Sequence, residues 1–354
     1  MSVVSSVKGV LWARKRQPDE VRYFAALAHE RFAPDDLLQQ AVEAENAGFD
    51  GICCSDHLAP WWSDATAPMN SGNAWVWLGA AANATSRVEL GTGVTAIVHR
   101  YNPVVVAQQV ATLELLAPGR AFLGVGSGEA MNEVPAGMSW PSTEEQLART
   151  EEALTIITRL LDGERVDFDG RFFKTNGAML YSRPPRRPRV YMSAFYEGAA
   201  EVAGRLADGV WTLGDPMKAP KVLAAYRKSC EEAGREPGEI ILQMVFSVAG
   251  DDDTALEQAR EWKGTMVDEN YTAPRRGPGH DLSERRGRSV RLHVHEADHR
   301  VIRPGQARQA DQADPEARCD DDRADERVGE RPARRTPCLR RERAAAAPRH
   351  LTSA

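Results

Sequence analysis

The 354-residue sequence contains no apolar run approaching the roughly 20 residues that cross a bilayer. Its first twenty residues lack the apolar stretch and small-residue cleavage site of a signal peptide, so the expected address is cytoplasmic, with no membrane partner. Cysteine is scarce: five residues, two of them adjacent (Cys53, Cys54), with no CxxC spacing. That excludes a disulfide framework and a cysteine zinc site, and the pair reads as buried thiols on a strand in a reducing compartment. Surplus positive charge is missing too. A net charge of −6 and a pI of 5.8 exclude an electrostatic nucleic-acid binder. The fingerprint GxGxxG opening a helix after the first strand is absent; Gly124, Gly126 and Gly128 form GxGxG much later in the chain, which argues against a nicotinamide-binding Rossmann domain.

From Val21 to Thr272 short apolar runs alternate with amphipathic stretches, the pattern of βα units around a parallel sheet. Seven strands are expected at 21–27, 51–55, 88–94, 121–126, 189–194, 209–214 and 240–249. Helices are expected over Pro34–Ala47, Ala74–Ala84, Pro103–Leu116 and Thr143–Leu161, with punctuation by Pro, Gly, Asn and Ser. The alternating RVDFDGRFF (165–173), with its Asp-Gly turn, predicts a hairpin inserted near 163–182.

Beyond Pro274 the composition changes: 19 Arg, no Lys, no Phe, Trp, Tyr or Met, and nine Ile, Leu or Val through Ala354. Such a segment cannot bury a core. Of 45 basic and 51 acidic residues, 26 and 37 precede it, so the body is net −11 and the tail net +5. The tail is either naturally disordered or, the reading favoured, the product of a frameshift in a GC-rich gene; either leaves the eighth strand of a barrel missing. His293, His295 and His299 lack further ligands, and no metal site is expected. The division is thus an N-terminal extension (1–20), a barrel (21–273) and a low-complexity tail (274–354).

In an α/β barrel the chemistry sits on the loops at the carboxyl ends of the strands. After the second strand comes SDHLAPWW (55–62), which offers an acid, an imidazole and indoles. After the fourth comes GVGSGEAMNE (124–133), with carboxylates and glycines that permit close backbone approach. Taken alone, a capping Asp and a core His explain the first loop equally well.

HERFAP (29–34), SDHLAPW (55–61), LGTGV (90–94), RYNPVVVAQQVATL (100–113), FLGVGSGEAMNE (122–133), ERVDFDGRFF (164–173) and AEVAGRLADGVWT (200–212) follow one another in order. On these the sequence resembles the luciferase-like flavin and deazaflavin oxidoreductases, above all the F420-dependent glucose-6-phosphate dehydrogenases. The resemblance implies a (β/α)8 TIM barrel, incomplete at its C-terminus, that works as a homodimer. It further implies coenzyme F420, with FMN the alternative, and hydride transfer with a small-molecule substrate. Carried onto this chain, it makes His57 the base for a substrate hydroxyl, Trp61 the residue that holds substrate in line, and Glu129 the proton donor to the ring nitrogen N1, with Glu30 lining the same pocket. Asp56, Gly93, Val94, Ala96, Ser127, Gly128, Asn132, Ala194 and Phe195 would contact the cofactor, with a cis peptide at Gly93–Val94. Thr212 would contact the substrate. The phosphate turn departs from that pattern at Ala194, Phe195, Tyr196 and Glu197, and Asp215 stands where those enzymes carry a lysine, so glucose 6-phosphate is not the expected substrate. The competing expectations are an FMN-dependent monooxygenase and an inactive truncated relative.

Overall fold

The computed structural model describes residues 21–61, 69–260 and 262. The extension at 1–20 and the tail at 274–354, with their expected features, lie outside these residues. In chain order the elements are β1 (Phe24–Leu27), α1 (Pro34–Ala47), β2 (Gly51–Cys54), α2 (Ala74–Ala84), β3 (Glu89–Thr92), β4 (Thr95–Ala96), α3 (Pro103–Leu116), β5 (Ala121–Gly126), α4 (Ala130–Glu133) and α5 (Thr143–Leu161). They continue as β6 (Val166–Asp169), β7 (Lys174–Ala178), β8 (Arg189–Ser193), α6 (Glu197–Leu206), β9 (Gly209–Leu213), α7 (Ala219–Glu232), β10 (Glu239–Gln243) and α8 (Asp252–Arg260).

The main sheet runs β1-β2-β3-β5-β8-β9-β10, every neighbouring pair parallel, with β4 also paired to β5. Helices between consecutive strands make it a curled βα sheet of the TIM-barrel type. Side chains alternate across each strand, which explains the two kinds of core. One face brings Cys53, Phe122, Tyr191 and Trp211 together with Phe24, Val94 and Ile241, from strands far apart in sequence. The other sends Ile52 and Cys54, or Val190, Met192 and Val210, into the helical layer. Glycine marks where strands crowd inside: a Cβ on Gly91 would lie 2.2 Å from the Phe122 carbonyl oxygen. Both thiols of Cys53 and Cys54 are buried and free, and burial pushes that of Cys53 up to about 12.

The amino-terminal end is tied by ions and amides. Arg22 bridges Glu89 (2.8 Å) and Glu239 (2.7 Å), joining the starts of β1, β3 and β10. The carboxylate of Glu45 on α1 accepts from the main-chain N–H groups of Ser86, Arg87 and Val88, and Glu114 on α3 from those of Gly119 and Ala121. Each satisfies amides just ahead of a strand that no ladder yet serves.

Pro34 and Pro103 occupy first helical turns, and Gly48 closes α1 at φ 94°, where a side chain would be strained. Two expectations need correcting. VELGTGV is not one strand: the chain leaves the sheet at the cis Gly93–Val94 bond and rejoins it as β4. Among the described residues the 240–249 run pairs only as far as Gln243, and Met244, Val245, Phe246 and Val248 are exposed. The hairpin expected near 163–182 is present as β6–β7, with Asp169–Gly170 entering a turn that runs to Phe173, where the Glu152 carboxylate gathers the N–H groups of Arg171, Phe172 and Phe173.

Candidate active site

Three loops at the carboxyl ends of β1, β2 and β5 bring Glu30, His57 and Glu129 into one line. His57 Nδ1 lies 2.5 Å from Glu30 Oε1, and Nε2 lies 3.7 Å from Glu129 Oε2. The Glu30 side chain is 2% exposed, that of His57 8% and that of Glu129 21%, so the line runs from core to cleft. Trp61 stands edge-on to the imidazole, with ring centroids 4.9 Å apart at 74°. It packs with Ala59 and Met131, and Trp262 joins them.

The charges in this line shift one another. Burial opposes a charged imidazole, but Glu30 and then Glu129 outweigh it and hold His57 up at about 9. Burial likewise opposes a charged Glu30, yet the adjacent His57 and the Ser55 hydroxyl, which donates to Oε2 at 2.6 Å, bring it down to about 2. Ser55 in turn accepts from the His29 main-chain N–H. The buried His29 ring is structural: Nδ1 donates to the Gly72 carbonyl, and the ring stands edge-on to Trp77.

Asp56 belongs to the scaffold on the other side of His57. Its Oδ2 accepts from Thr95 Oγ1 and its Oδ1 from Tyr101 and Arg100. The Arg100 guanidinium also grips the Asp56 carbonyl and the fully buried Glu133. Burial lifts Glu133 to about 7, with Arg100 pulling the other way. Asn132 is fully buried; its Oδ1 accepts from the N–H groups of Leu58 (2.8 Å) and Ala59 (3.0 Å), and its Nδ2 donates to Glu129 Oε2 (3.0 Å). Gly128, at φ 86°, turns the chain from β5 into α4, and a Cβ there would sit 2.9 Å from that of Ala96. A Cβ on Gly126 would meet Val94 at 2.8 Å. The strand ends therefore meet backbone to side chain, Val94 against Gly126 and Ala96 against Gly128.

Ala194 is buried and Phe195 partly exposed, ahead of α6. Thr212 is buried in β9, where strand alternation puts it on the side of Val210 rather than of Trp211. Among the described residues, no hydrogen bond or ion pair joins these three to the His57 group. Sequence reasoning passed over Arg100, Tyr101, Thr95 and Ser55 as site residues. Arg100 lies in a motif that carries the resemblance, but no local pattern ties a cation to an acid 44 residues earlier.

The luciferase-like monooxygenase family model matches residues 13–329. An F420-dependent glucose-6-phosphate dehydrogenase of Microbacterium testaceum is 38% identical over 287 residues, 80% of this chain and 83% of that one. An F420-dependent hydroxymycolic acid dehydrogenase of Mycobacterium tuberculosis is 38% identical over 240 residues, 68% of this chain and 66% of that one. Among solved structures, an F420-dependent secondary alcohol dehydrogenase in complex with an F420-acetone adduct is 35% identical, with a TM-score of 0.69 over 73% of this chain and 78% of that one. With the curled βα sheet and the matched span together, the chain belongs to the luciferase-like monooxygenase family.

Proposed function

We propose that this chain is an F420-dependent oxidoreductase acting on the CH–OH group of a small uncharged alcohol, or on the matching carbonyl. The observation that carries the reading is the Glu30–His57–Glu129 line at the mouth of the barrel. The residues fit such a cofactor: two groups able to exchange protons face each other across 3.7 Å at the strand ends, and Gly126 and Gly128 bring main chain close where a side chain would clash. Bound there, a deazaflavin supplies a carbon that accepts or returns a hydride.

The chain itself manages protons. His57 Nε2 takes the hydroxyl proton during oxidation and returns it during reduction. Glu30, held by Ser55, keeps the Nδ1 proton in place and stabilises the imidazolium. Glu129, the more open carboxylate, faces His57 Nε2 from the cleft side and is placed to exchange the second proton. Trp61 walls the substrate against His57. Because His57 sits at about 9 in the free protein, the acid needed for carbonyl reduction is already loaded near pH 7.

A neutral substrate follows from the charges. Glu30, Asp56, Glu129 and Glu133 surround the site, Arg100 is taken up by two of them, and Asp215 follows β9. Among the described residues the Arg100 guanidinium is already held by Asp56 and Glu133, so a phosphate dianion would gain no pairing from it. We further read the working unit as a cytoplasmic homodimer joined through α2 and α3, which expose Val76, Val105, Leu115 and Leu116; Trp75, Gln108, Gln109 and Leu116 line a groove there. In that groove Trp75 Nε1 and Gln109 Oε1 are buried with no hydrogen-bond partner among the described residues.

Titrating the purified chain with F420 and with FMN by fluorescence quenching tests the reading. F420 is expected to bind with micromolar affinity or better, and H57A to keep that binding while losing hydride transfer. Binding of FMN alone, or full turnover by H57A, overturns it.

A further inference from the structure

Asn132 has every polar atom of its carboxamide committed between the two halves of the site. The N–H groups of Leu58 and Ala59 can only donate, so Oδ1 must face them. Nδ2 is thereby aimed at Glu129 Oε2, the same oxygen that faces His57 Nε2. Flipping the amide would strand both main-chain donors, that of Ala59 in a buried position. The main chain of Asn132 is fixed as well, because its N–H and that of Glu133 both donate to the Glu129 carbonyl at the start of α4. Glu133 then reaches through Arg100 to Asp56. His57 is therefore bracketed from one short helix, through Asp56 on one side and through Leu58 and Ala59 on the other.

We propose that Asn132 is a positioning residue of this site: its carboxamide ties the chain following His57 to one oxygen of Glu129 and so sets how that carboxylate faces the imidazole. It rests on reading His57 and Glu129 as the proton-exchanging pair. Substitution by aspartate separates its two tasks. The introduced carboxylate still accepts from Leu58 and Ala59, but it donates to Glu129 only while the two carboxyls share a proton, and two acids at such a distance share one with a raised, joint ionisation.

The test uses the full chain with histidine labelled at Cε1, read by NMR, with the His57 signal assigned by its loss in H57Q. N132D is expected to keep F420 affinity within about threefold. It should show a new ionisation, felt by His57 and absent from the parent chain, above which turnover falls tenfold or more with KM little changed. The charge-conserving swap N132D/E129Q places an amide donor opposite the introduced carboxylate; the new ionisation should vanish and any loss of thermal stability in N132D should be recovered, while turnover stays low. The proposal is overturned if N132D titrates like the parent chain. It is also overturned if F420 binding weakens more than tenfold with His57 unmoved, or if the swap is as unstable as N132D. Should the parent chain show no F420-dependent turnover, the functional reading fails, yet the His57 titration and the stability rescue still decide the role of Asn132.

Discussion

Replacing Glu30 by glutamine should convert His57 from a charged to a neutral group at pH 7. Glutamine keeps the volume and can accept from Nδ1, but it removes the charge 2.5 Å away that holds the imidazole at about 9 instead of 6.5. That difference is about 300-fold in proton affinity, or about 3 kcal/mol. In the parent chain about one His57 in a hundred is neutral at pH 7; in E30Q burial and the residual pull of Glu129 should set the midpoint near or below 6.5. Two assays read it. NMR titration of His57 should show the midpoint fall, and the ionisation controlling kcat/KM for alcohol oxidation should fall with it. Above about pH 11 both forms are essentially deprotonated, and E30Q, with the weaker and less well oriented base, should be slower by about a hundredfold. A His57 midpoint within about half a pH unit of the parent would refute the view that Glu30 sets the proton affinity of this site.

The same pair links stability to pH. The raised His57 contributes fully below about 6.5 and loses its contribution as pH rises through about 9, while the lowered Glu30 contributes above about 4.5 and loses its contribution as pH falls towards 2. The Tm deficit of E30Q should therefore peak between about pH 4.5 and 6.5 and shrink on either side, as calorimetry can show. R100M strips the cation from the buried Asp56 and Glu133 and should cost about 3–5 kcal/mol in urea unfolding. G128A forces a side chain into a left-handed turn and against Ala96; a loss of about 1–3 kcal/mol with a lower kcat is expected. V76D with L116D should yield monomers by light scattering if α2 and α3 join two copies, with the site residues untouched.

Much of this architecture was legible because it is punctuated locally. Pro34, Pro103, Asn73, Asn102 and Ser142 open helices where the sequence places them, the last three through a side-chain oxygen that accepts from a free amide of the first turn. His57 and Glu129 were legible because a barrel puts its strand ends together. What stayed hidden is non-local. Arg100 follows β4, a two-residue strand with no periodicity to reveal it, and its partners lie 44 residues before and 33 after. The apolar run after Gln243 read as strand because composition reports what a segment could bury, not whether a neighbour is present.

Arg22 gives the molecule a hoop at its base: one guanidinium fastens the beginnings of the first, third and last described strands, at the pole opposite His57. Because that fastening is ionic and partly open to water, added salt should loosen the staves well before it reaches the recessed imidazole. Hydrogen exchange at the foot of the barrel should then quicken with ionic strength while the proton affinity at its mouth stays put, which makes robustness and reactivity separately adjustable in the same chain.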